Sequence, residues 1–599
     1  MLLRYLSAAV LSTAGCAASR ISFLDLETSH RDHVTRSALP DLRVLEDALE
    51  ALRVMQADYF QPWLGMWPTS IDWTAAMMGS HVSGALESIS QGLELIRLEQ
   101  DEEDYRVKEN LVTLYFSQLV GYYFGQDAFA IRNEAFDDML WVVLGWLDTT
   151  QFIELHTALH YRSAPQGVSP GPAQELPTLL RNQTWHGNIW IPAFAHRARI
   201  FWELAARGWD AKLCGGGMTW NPRLEPYKNA ITNELFISAS IAMYLHFPGD
   251  ANTSPYGSPS AGGVADSENI TTSEWRAHDP RFLHAATRAY AWLRNSGMTN
   301  NDGLYVDGFH ISGYNNQSDN NTKCDVRNEM VYTYNQGVVL SGLLGLFKVT
   351  GNASYLKDGH RLIQDVISAT GYDLRHDRPI DDLPNLEPGQ LPPWRGIGRA
   401  GVLEEVCDVR GDCSQNGHTF KGIYFHHLTA FCAPLEFVTA PPPPAMGEQR
   451  LVQIRKEHAR ACQAYLGWIK HNAVAALLTR DAYGKFGMWW TAGLLNVTLD
   501  ALDLDQEGIG PTDANAADYR NYGVPDDALW TPPGTGVTPP KDVFDEEHGQ
   551  RPLGGRRVRR ETALDSDPNN RGRGRTVESQ GGGLAVLRAL WEISRQGFD

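Results

Sequence analysis

Phe136-Asp137-Asp138-Met139-Leu140-Trp141 leads straight into the apolar run Val142, Val143, Leu144, Trp146 and Leu147. Two carboxylates therefore open a helix whose body reads as buried. An aspartate in a first helical turn ordinarily satisfies free amides and complements the helix dipole, and that structural role is open to both residues. The dipeptide recurs at Asp381-Asp382 and Asp526-Asp527, but there it falls in proline-containing loops. Of the three pairs, Asp137-Asp138 alone has an aromatic flank and an apolar helix behind it. Placed around a sugar's anomeric carbon, one such carboxylate can attack while its neighbour protonates the departing oxygen, which requires carboxyl groups about 5 Å apart. Like-charge repulsion helps keep the second one protonated.

Outward from this stretch, apolar residues recur at three- and four-residue spacing, joined by Gly/Pro/Asn-rich loops, and strand-like alternation is scarce. The spacing predicts helices over about 42–59, 73–98, 106–123, 137–161, 189–207, 227–245 and 282–296. Further helices are predicted over about 334–350, 354–369, 422–437, 448–472, 488–502 and 579–594. Helices in that number, returning after the longest loop, suit one toroid of paired helices better than two domains. Pro248 to Asn269, Asp373 to Gly417 and Gly508 to Thr576 read as loops or insertions. The last carries Pro532, Pro533, Pro539, Pro540 and the basic patch Arg556, Arg557, Arg559, Arg560, and is expected to lack the apolar surface to order itself. The expected organisation is a signal peptide over 1–18 and a single domain over 38–599 with the insertion at 508–576.

At 599 residues with 43% hydrophobic and 21% charged side chains, the chain has the material for a large core. Lys plus Arg number 52 against 71 Asp plus Glu, a formal charge of -19 that repels a phosphate backbone, so nucleic-acid binding is not expected. The 18 Trp and 22 Tyr suit sugar faces as well as core packing. Met1-Leu2-Leu3-Arg4, an apolar stretch from Tyr5 to Val10 and the small residues Ala14 to Ala18 have signal-peptide grammar, with cleavage expected near Ala18. Cleavage would remove Cys16 and leave Cys214, Cys324, Cys407, Cys413, Cys432 and Cys462 for structural disulfides, Cys407 and Cys413 being close enough for a local bridge. Sequons at Asn182, Asn252, Asn269, Asn316, Asn320, Asn352 and Asn496 agree with export. There is no long hydrophobic C-terminal tail for a GPI signal and no later run long enough to span a bilayer, so a soluble secreted protein is expected.

Other chemistries find less support. The sequence has no His-Glu-x-x-His zinc helix, no Gly-x-Ser-x-Gly elbow, no Walker loop and no strand-linked Gly-x-Gly-x-x-Gly. Gly215-Gly216-Gly217 lacks the lysine and hydroxyl residue of a phosphate loop, and His426-His427 and the other histidines lack ligand spacing. Neither a metal nor a cofactor is expected.

Several ordered segments together resemble glycoside hydrolase family 76, the endo-α-1,6-mannanases and their fungal cell-wall relatives. They are Asp137-Asp138-Met139-Leu140-Trp141, Cys214-Gly215-Gly216-Gly217-Met218-Thr219-Trp220, and Tyr227-Lys228-Asn229-Ala230-Ile231-Thr232-Asn233-Glu234-Leu235-Phe236. Asp302-Gly303-Leu304-Tyr305-Val306-Asp307-Gly308, Thr333-Tyr334-Asn335-Gln336-Gly337 and Phe420-Lys421-Gly422-Ile423 continue the series. The resemblance covers roughly Leu42 to Trp490 plus the helix after Ser579. It implies an all-α (α/α)6 barrel, retaining chemistry on α-1,6-linked mannan, Asp137 as nucleophile and Asp138 as acid/base. Within the matching motifs, Tyr227, Asn229, Asn233, Tyr334, Asn335, Gln336 and Lys421 are candidates for contacts to sugar, the amides being equally suited to capping inner helices. Trp67, Trp73, Trp141 and Trp220 are candidates for stacking on sugar rings, with core packing the alternative. Fungal wall-remodelling members usually carry a GPI tail, so hydrolysis of external mannan is favoured here over cross-linking of glycans into a wall. A transglycosidase using the same residues and a catalytically inactive mannan-binding barrel are the alternatives. The 508–576 insertion, unlike compact bacterial members, is expected to shield or extend the cleft.

Overall fold

Two kinds of helix alternate along the chain, and their burial separates them. The helix Thr333–Thr350 is apolar around its whole circumference and buries Val338, Leu340, Leu343, Leu346 and Phe347. Ser354–Ala369, immediately after it, buries Leu356, Leu362, Ile363, Val366 and Ile367 and turns Lys357, Arg361, Gln364 and Ser368 to solvent. A helix covered on every side needs the first pattern and one packed on a single side needs the second.

The computed structural model describes residues 42–98, 102–161, 184–252, 275–314, 321–387, 389–435, 447–502, 508, 510–511, 515–521 and 566–596. Among them the principal helices are α1 (Leu42–Asp58), α2 (Asp72–Leu98), α3 (Glu102–Gly125), α4 (Phe136–His160), α5 (Ile191–Ala206), α6 (Ala230–His246) and α7 (Pro280–Asn295). They continue with α8 (Thr333–Thr350), α9 (Ser354–Ala369), α10 (Gln415–Phe431), α11 (Glu448–Gln463), α12 (Leu466–Leu477) and α13 (Val577–Arg595). Helices α2, α4, α6, α8, α10 and α13 pack each on the next, and α13 returns to α2, closing a ring of six. Around it lie α3 on α2, α5 on α4, α7 on α6, α9 on α8, and α1 and α12 on α13. This is an (α/α)6 barrel.

The ring is tight because glycine stands where helices cross. A Cβ on Gly337 of α8 would lie 2.6 Å from the Tyr424 Cα of α10, and one on Gly422 of α10 would lie 3.0 Å from the Gly582 Cα of α13. The first turns of the inner helices share one end of the barrel. There the Thr74 hydroxyl donates to Glu578 Oε1 at 3.0 Å, Gln415 Nε2 donates to the same oxygen at 3.0 Å, and Trp73 stacks on Trp141 at 5.7 Å. A small antiparallel sheet lies beside that end: β1 (Lys228–Asn229), β2 (Gly308–His310) and β3 (Val326–Asn328), with Lys228 opposite Phe309 and Phe309 opposite Arg327.

Three expected boundaries are corrected. Helix α10 starts at Gln415 rather than 422, because Ser414 takes the N-cap position and the polar Gln415, Asn416 and His418 turn into the barrel, where polar partners await them. The helix expected over 488–502 is confined to Trp490–Leu495, ended by Asn496 at φ 50°. The 448–472 helix is interrupted between Gln463 and Leu466.

The segment 508–576 is also corrected at both ends. Asn515–Asn521 is packed on the barrel, and Asn569, 3% exposed, accepts from the Trp489 amide at 2.8 Å. Polar side chains bonding backbone, instead of apolar burial, order these pieces. The basic patch Arg556–Arg560 and the signal-like 1–18 lie outside the described residues. Disulfides join Cys214 to Cys324, Cys407 to Cys413 and Cys432 to Cys462. Among the described residues no helix is long and apolar enough to cross a membrane.

Candidate active site

Backbone hydrogen bonds fix the site before any side chain does. Phe136 N at the start of α4 donates to Trp220 O at 2.9 Å, Trp220 N donates to Tyr227 O at 2.8 Å, and Ala230 N at the start of α6 donates to Asp307 O at 2.8 Å. The loops carrying Trp220, Tyr227 and Asp307 are thereby bound to the first turns of two inner helices.

Asp137 and Asp138 are the second and third residues of α4. Asp138 Oδ2 accepts from the Ala135 amide at 3.0 Å, so one of its oxygens performs the capping role open to it. Asp137 is 5% exposed, and its Oδ1 has no hydrogen-bond partner. Burial raises both carboxyls, but their surroundings differ. Asp137 rises to about 6, opposed by the Arg520 guanidinium, by backbone amides and by a hydrogen bond from Trp220. Asp138 lies well above the usual carboxylate range, because burial is reinforced by the charges of Asp137 and Glu134. Two neighbouring acids are thus set apart: both rise, but Asp137 is held back and Asp138 is pushed further toward the protonated acid.

A polar wall surrounds them. The Tyr227 hydroxyl donates to Asp307 Oδ2 at 2.6 Å, Asn328 Nδ2 donates to the same oxygen at 3.4 Å, and Tyr227 stacks on His310 at 4.2 Å. Tyr334 stacks on Phe420 at 3.8 Å, and burial lifts its hydroxyl far above the usual range. The Arg520 guanidinium lies 4.8 Å over the Trp220 ring and 3.8 Å from Asp307.

Of the residues singled out in the sequence, Asp137, Asp138, Trp220, Tyr227 and Tyr334 come together here. Others have structural partners instead. Trp67, 1% exposed, lies in the core against Phe60 and Tyr122 and donates its Nε1 to Gln56 at 3.1 Å. Asn229 caps α6 by accepting from Thr232 N, and Asn233 clasps Met218 through both its amide and its carbonyl. Gln336 bonds Tyr305 N, Tyr305 O and Tyr332 O. Asn335 is fully buried, and neither of its side-chain polar atoms has a partner. Lys421 is 2% exposed and pairs with Asp408 at 2.5 Å. Trp73 donates to Asn416 at 2.9 Å and, with Trp141, packs against the inner ring. Arg520 and Glu234 escaped the sequence reading: Arg520 belongs to a stretch read as loop, while Glu234 stood in a quoted motif without a role. Glu234 is wholly buried with both oxygens unpartnered, and burial raises its carboxyl well above the usual range.

Residues 276–441 match the family model described as Glycosyl hydrolase family 76. That part of the chain is similar to glycosyl hydrolase family 76. The family 76 match runs from the start of the α7 region through α10 and contains Asp307 and Tyr334, while the aspartate pair precedes it. A curated relative, mannan endo-1,6-alpha-mannosidase DCW1 of Candida glabrata, is 26% identical over 182 residues, which is 29% of this chain and 31% of the relative. The match therefore spans about a third of that relative's length. Among solved structures, an inactive variant of the alpha-1,6-mannanase GH76A of Salegentibacter sp. HEL1_6 in complex with alpha-1,6-mannotetrose is similar at 14% identity and TM-score 0.44, covering 92% of this chain and 99% of that one. Dfg5 from Chaetomium thermophilum in complex with glucosamine is similar at 14% identity and TM-score 0.43, covering 77% and 86%.

Proposed function

We propose that the protein is an endo-acting, retaining α-1,6-mannanase in which Asp137 is the nucleophile and Asp138 the acid/base. The observation that carries this reading is the opposed setting of two adjacent buried carboxyls, one facing a cation and an indole donor, the other facing two acids. In the first step the Asp137 carboxylate attacks the anomeric carbon as the glycosidic C–O bond breaks, and the Asp138 proton passes to the departing oxygen. In the second, water attacks the same carbon, returns a proton to Asp138 and frees Asp137. Trp220 and Tyr227 supply aromatic walls beside the pair, and a hydrogen bond from Trp220 adds to the influences that oppose the rise of Asp137.

Incubation with unbranched α-1,6-mannan should release short oligosaccharides with new reducing ends, and Asp137→Asn should abolish the release. Full activity in Asp137→Asn would end the assignment. Ligated products in preference to reducing ends, when a sugar acceptor is added, would mark a transglycosidase. Mannan binding without turnover in the parent would mark an inactive barrel. Three disulfides and the exposed sequon residues Asn252, Asn352 and Asn496 support export into an oxidising compartment.

A further inference from the structure

The stretch Asn515–Asn521 lies outside the family match and is anchored from end to end. Glu329 N donates to Asn515 O at 3.1 Å, and Ala517 exchanges hydrogen bonds with the Asn328 side chain, its amide donating at 2.9 Å and its carbonyl accepting at 2.9 Å. The Tyr332 hydroxyl, at the N-cap of α8, donates to Asp518 Oδ1 at 2.7 Å. Ser414, at the N-cap of α10, donates its hydroxyl to Arg520 O at 2.9 Å and its amide to Asn521 Oδ1 at 2.8 Å. The strap thus bridges β3 and the starts of two inner helices.

It delivers one cation to the centre of the site. The Arg520 side chain is 12% exposed, its Cζ lies over the Trp220 ring, and its Nη2 approaches Asp307 Oδ1 at 3.8 Å. Its Nε and Nη2 make no hydrogen bond, and neither do Asp137 Oδ1 and Asp307 Oδ1, so the guanidinium is committed by hydrogen bonds to neither carboxylate. Electrostatically, Arg520 is coupled to Tyr334 and Tyr332 at the start of α8, to Asp307 in the turn before β2 and to Asp137 of α4. Asp138 is the neighbouring acid, with Glu134 beside it in turn, and Asp518 lies within the strap itself.

We propose that Arg520, carried by the 515–521 strap, is the positioning residue that holds Asp137 as the attacking carboxylate. The inference rests on the assignment of Asp137 as nucleophile. Removing the cation should leave only backbone amides and Trp220 to oppose the rise of Asp137, so that it becomes charged only at higher pH. Removing Asp307 should do the opposite, since it eliminates a competing anion and leaves the guanidinium to Asp137. Opposite signs from two neighbours are what a purely structural role would not give.

The test is the pH dependence of kcat/KM on unbranched α-1,6-mannan for the full chain, Arg520→Met, Arg520→Lys and Asp307→Asn. Arg520→Met should lose at least tenfold at pH 5, with its acid limb moved up by one pH unit or more. Arg520→Lys should keep the limb near its original position, and guanidinium ion should restore part of the Arg520→Met rate. Asp307→Asn should move the acid limb down. Carbodiimide labelling of Asp137, followed by peptide mass spectrometry across the same pH range, reads its protonation without turnover and should shift in the same directions. An active parent whose Arg520→Met and Asp307→Asn variants leave both profiles in place overturns the inference. A parent that turns over no mannan overturns the assignment of function instead, while the labelling profiles still decide the role of Arg520. If Arg520→Met does not fold, Arg520→Lys and Asp307→Asn decide it alone: an unmoved or raised limb in Asp307→Asn refutes it.

Discussion

Replacing Lys421 by methionine should destabilise the protein by about 3–5 kcal/mol while leaving saccharide affinity intact. Lys421 Nζ lies 2.5 Å from Asp408 Oδ2, with the two side chains 3% and 0% exposed. Removing one member of a buried pair orphans the other, which costs about 3–5 kcal/mol. Burial raises Asp408 to about 6 and Glu405 to about 8, and in both the Lys421 charge is the largest opposing influence. Methionine removes that opposition, so both carboxyls rise further. A carboxyl whose folded pKa exceeds its unfolded value contributes stability at pH below the unfolded value and loses it as pH climbs through the folded one. The deficit of Lys421→Met should therefore be small near pH 5 and grow toward pH 8. Urea unfolding of parent and variant at pH 5, 6, 7 and 8 measures it, and Asp408→Asn in the Lys421→Met background should recover a large part. A deficit below about 1 kcal/mol that does not change with pH would refute the reasoning. Loss of mannooligosaccharide binding by folded Lys421→Met would return Lys421 to the sugar contacts its motif suggests.

Trp220→Phe removes the donor to Asp137 while keeping an aromatic wall. A hydrogen bond to a charged group is worth about 1.5–3 kcal/mol, so kcat/KM should fall about 10- to 100-fold, with the acid limb raised. Gly337→Ala would set a Cβ 2.6 Å from the Tyr424 Cα, and because that atom is backbone the two inner helices must separate. A loss of about 1–3 kcal/mol is expected in a thermal or urea melt. Cys324→Ser opens a bridge between positions 110 residues apart, which should cost about 2–5 kcal/mol, and its melting temperature should respond less to reductant than the parent's.

The barrel was legible because its helices had to be. An inner helix such as α4, with Val142, Val143, Leu144 and Leu147 all buried, cannot hide its apolar character, and the outer helices show one apolar face each. The boundary of α10 was not legible, because Gln415, Asn416 and His418 resemble a loop until the polar centre they face is known. The same reason limited the site. Asp137 and Asp138 announce themselves by chemistry beside a helix start, and Trp220, Tyr227 and Tyr334 by their motifs. Asn229, Asn233 and Gln336 stood in those motifs as well, and local sequence does not separate an amide that clasps backbone from one that meets a ligand. Arg520 arrives from a segment whose ordering depends on Asn328, Tyr332 and Ser414, all distant in sequence. Hydropathy carries no trace of such bonds.

Closure of the ring has a bearing on biosynthesis. Thr74 and Glu578, whose side chains meet at the seam, are 504 positions apart. Until α13 leaves the ribosome, the nascent polypeptide is an arc of five inner helices with two unsealed flanks, and Gly84, Gly92 and Gly422 face space that Arg588, Trp591 and Gly582 will fill. Translation at about 5–20 residues per second leaves those greasy edges uncovered for tens of seconds. Synthesis of α13, more than any earlier event, is the moment at which this protein can close its ring.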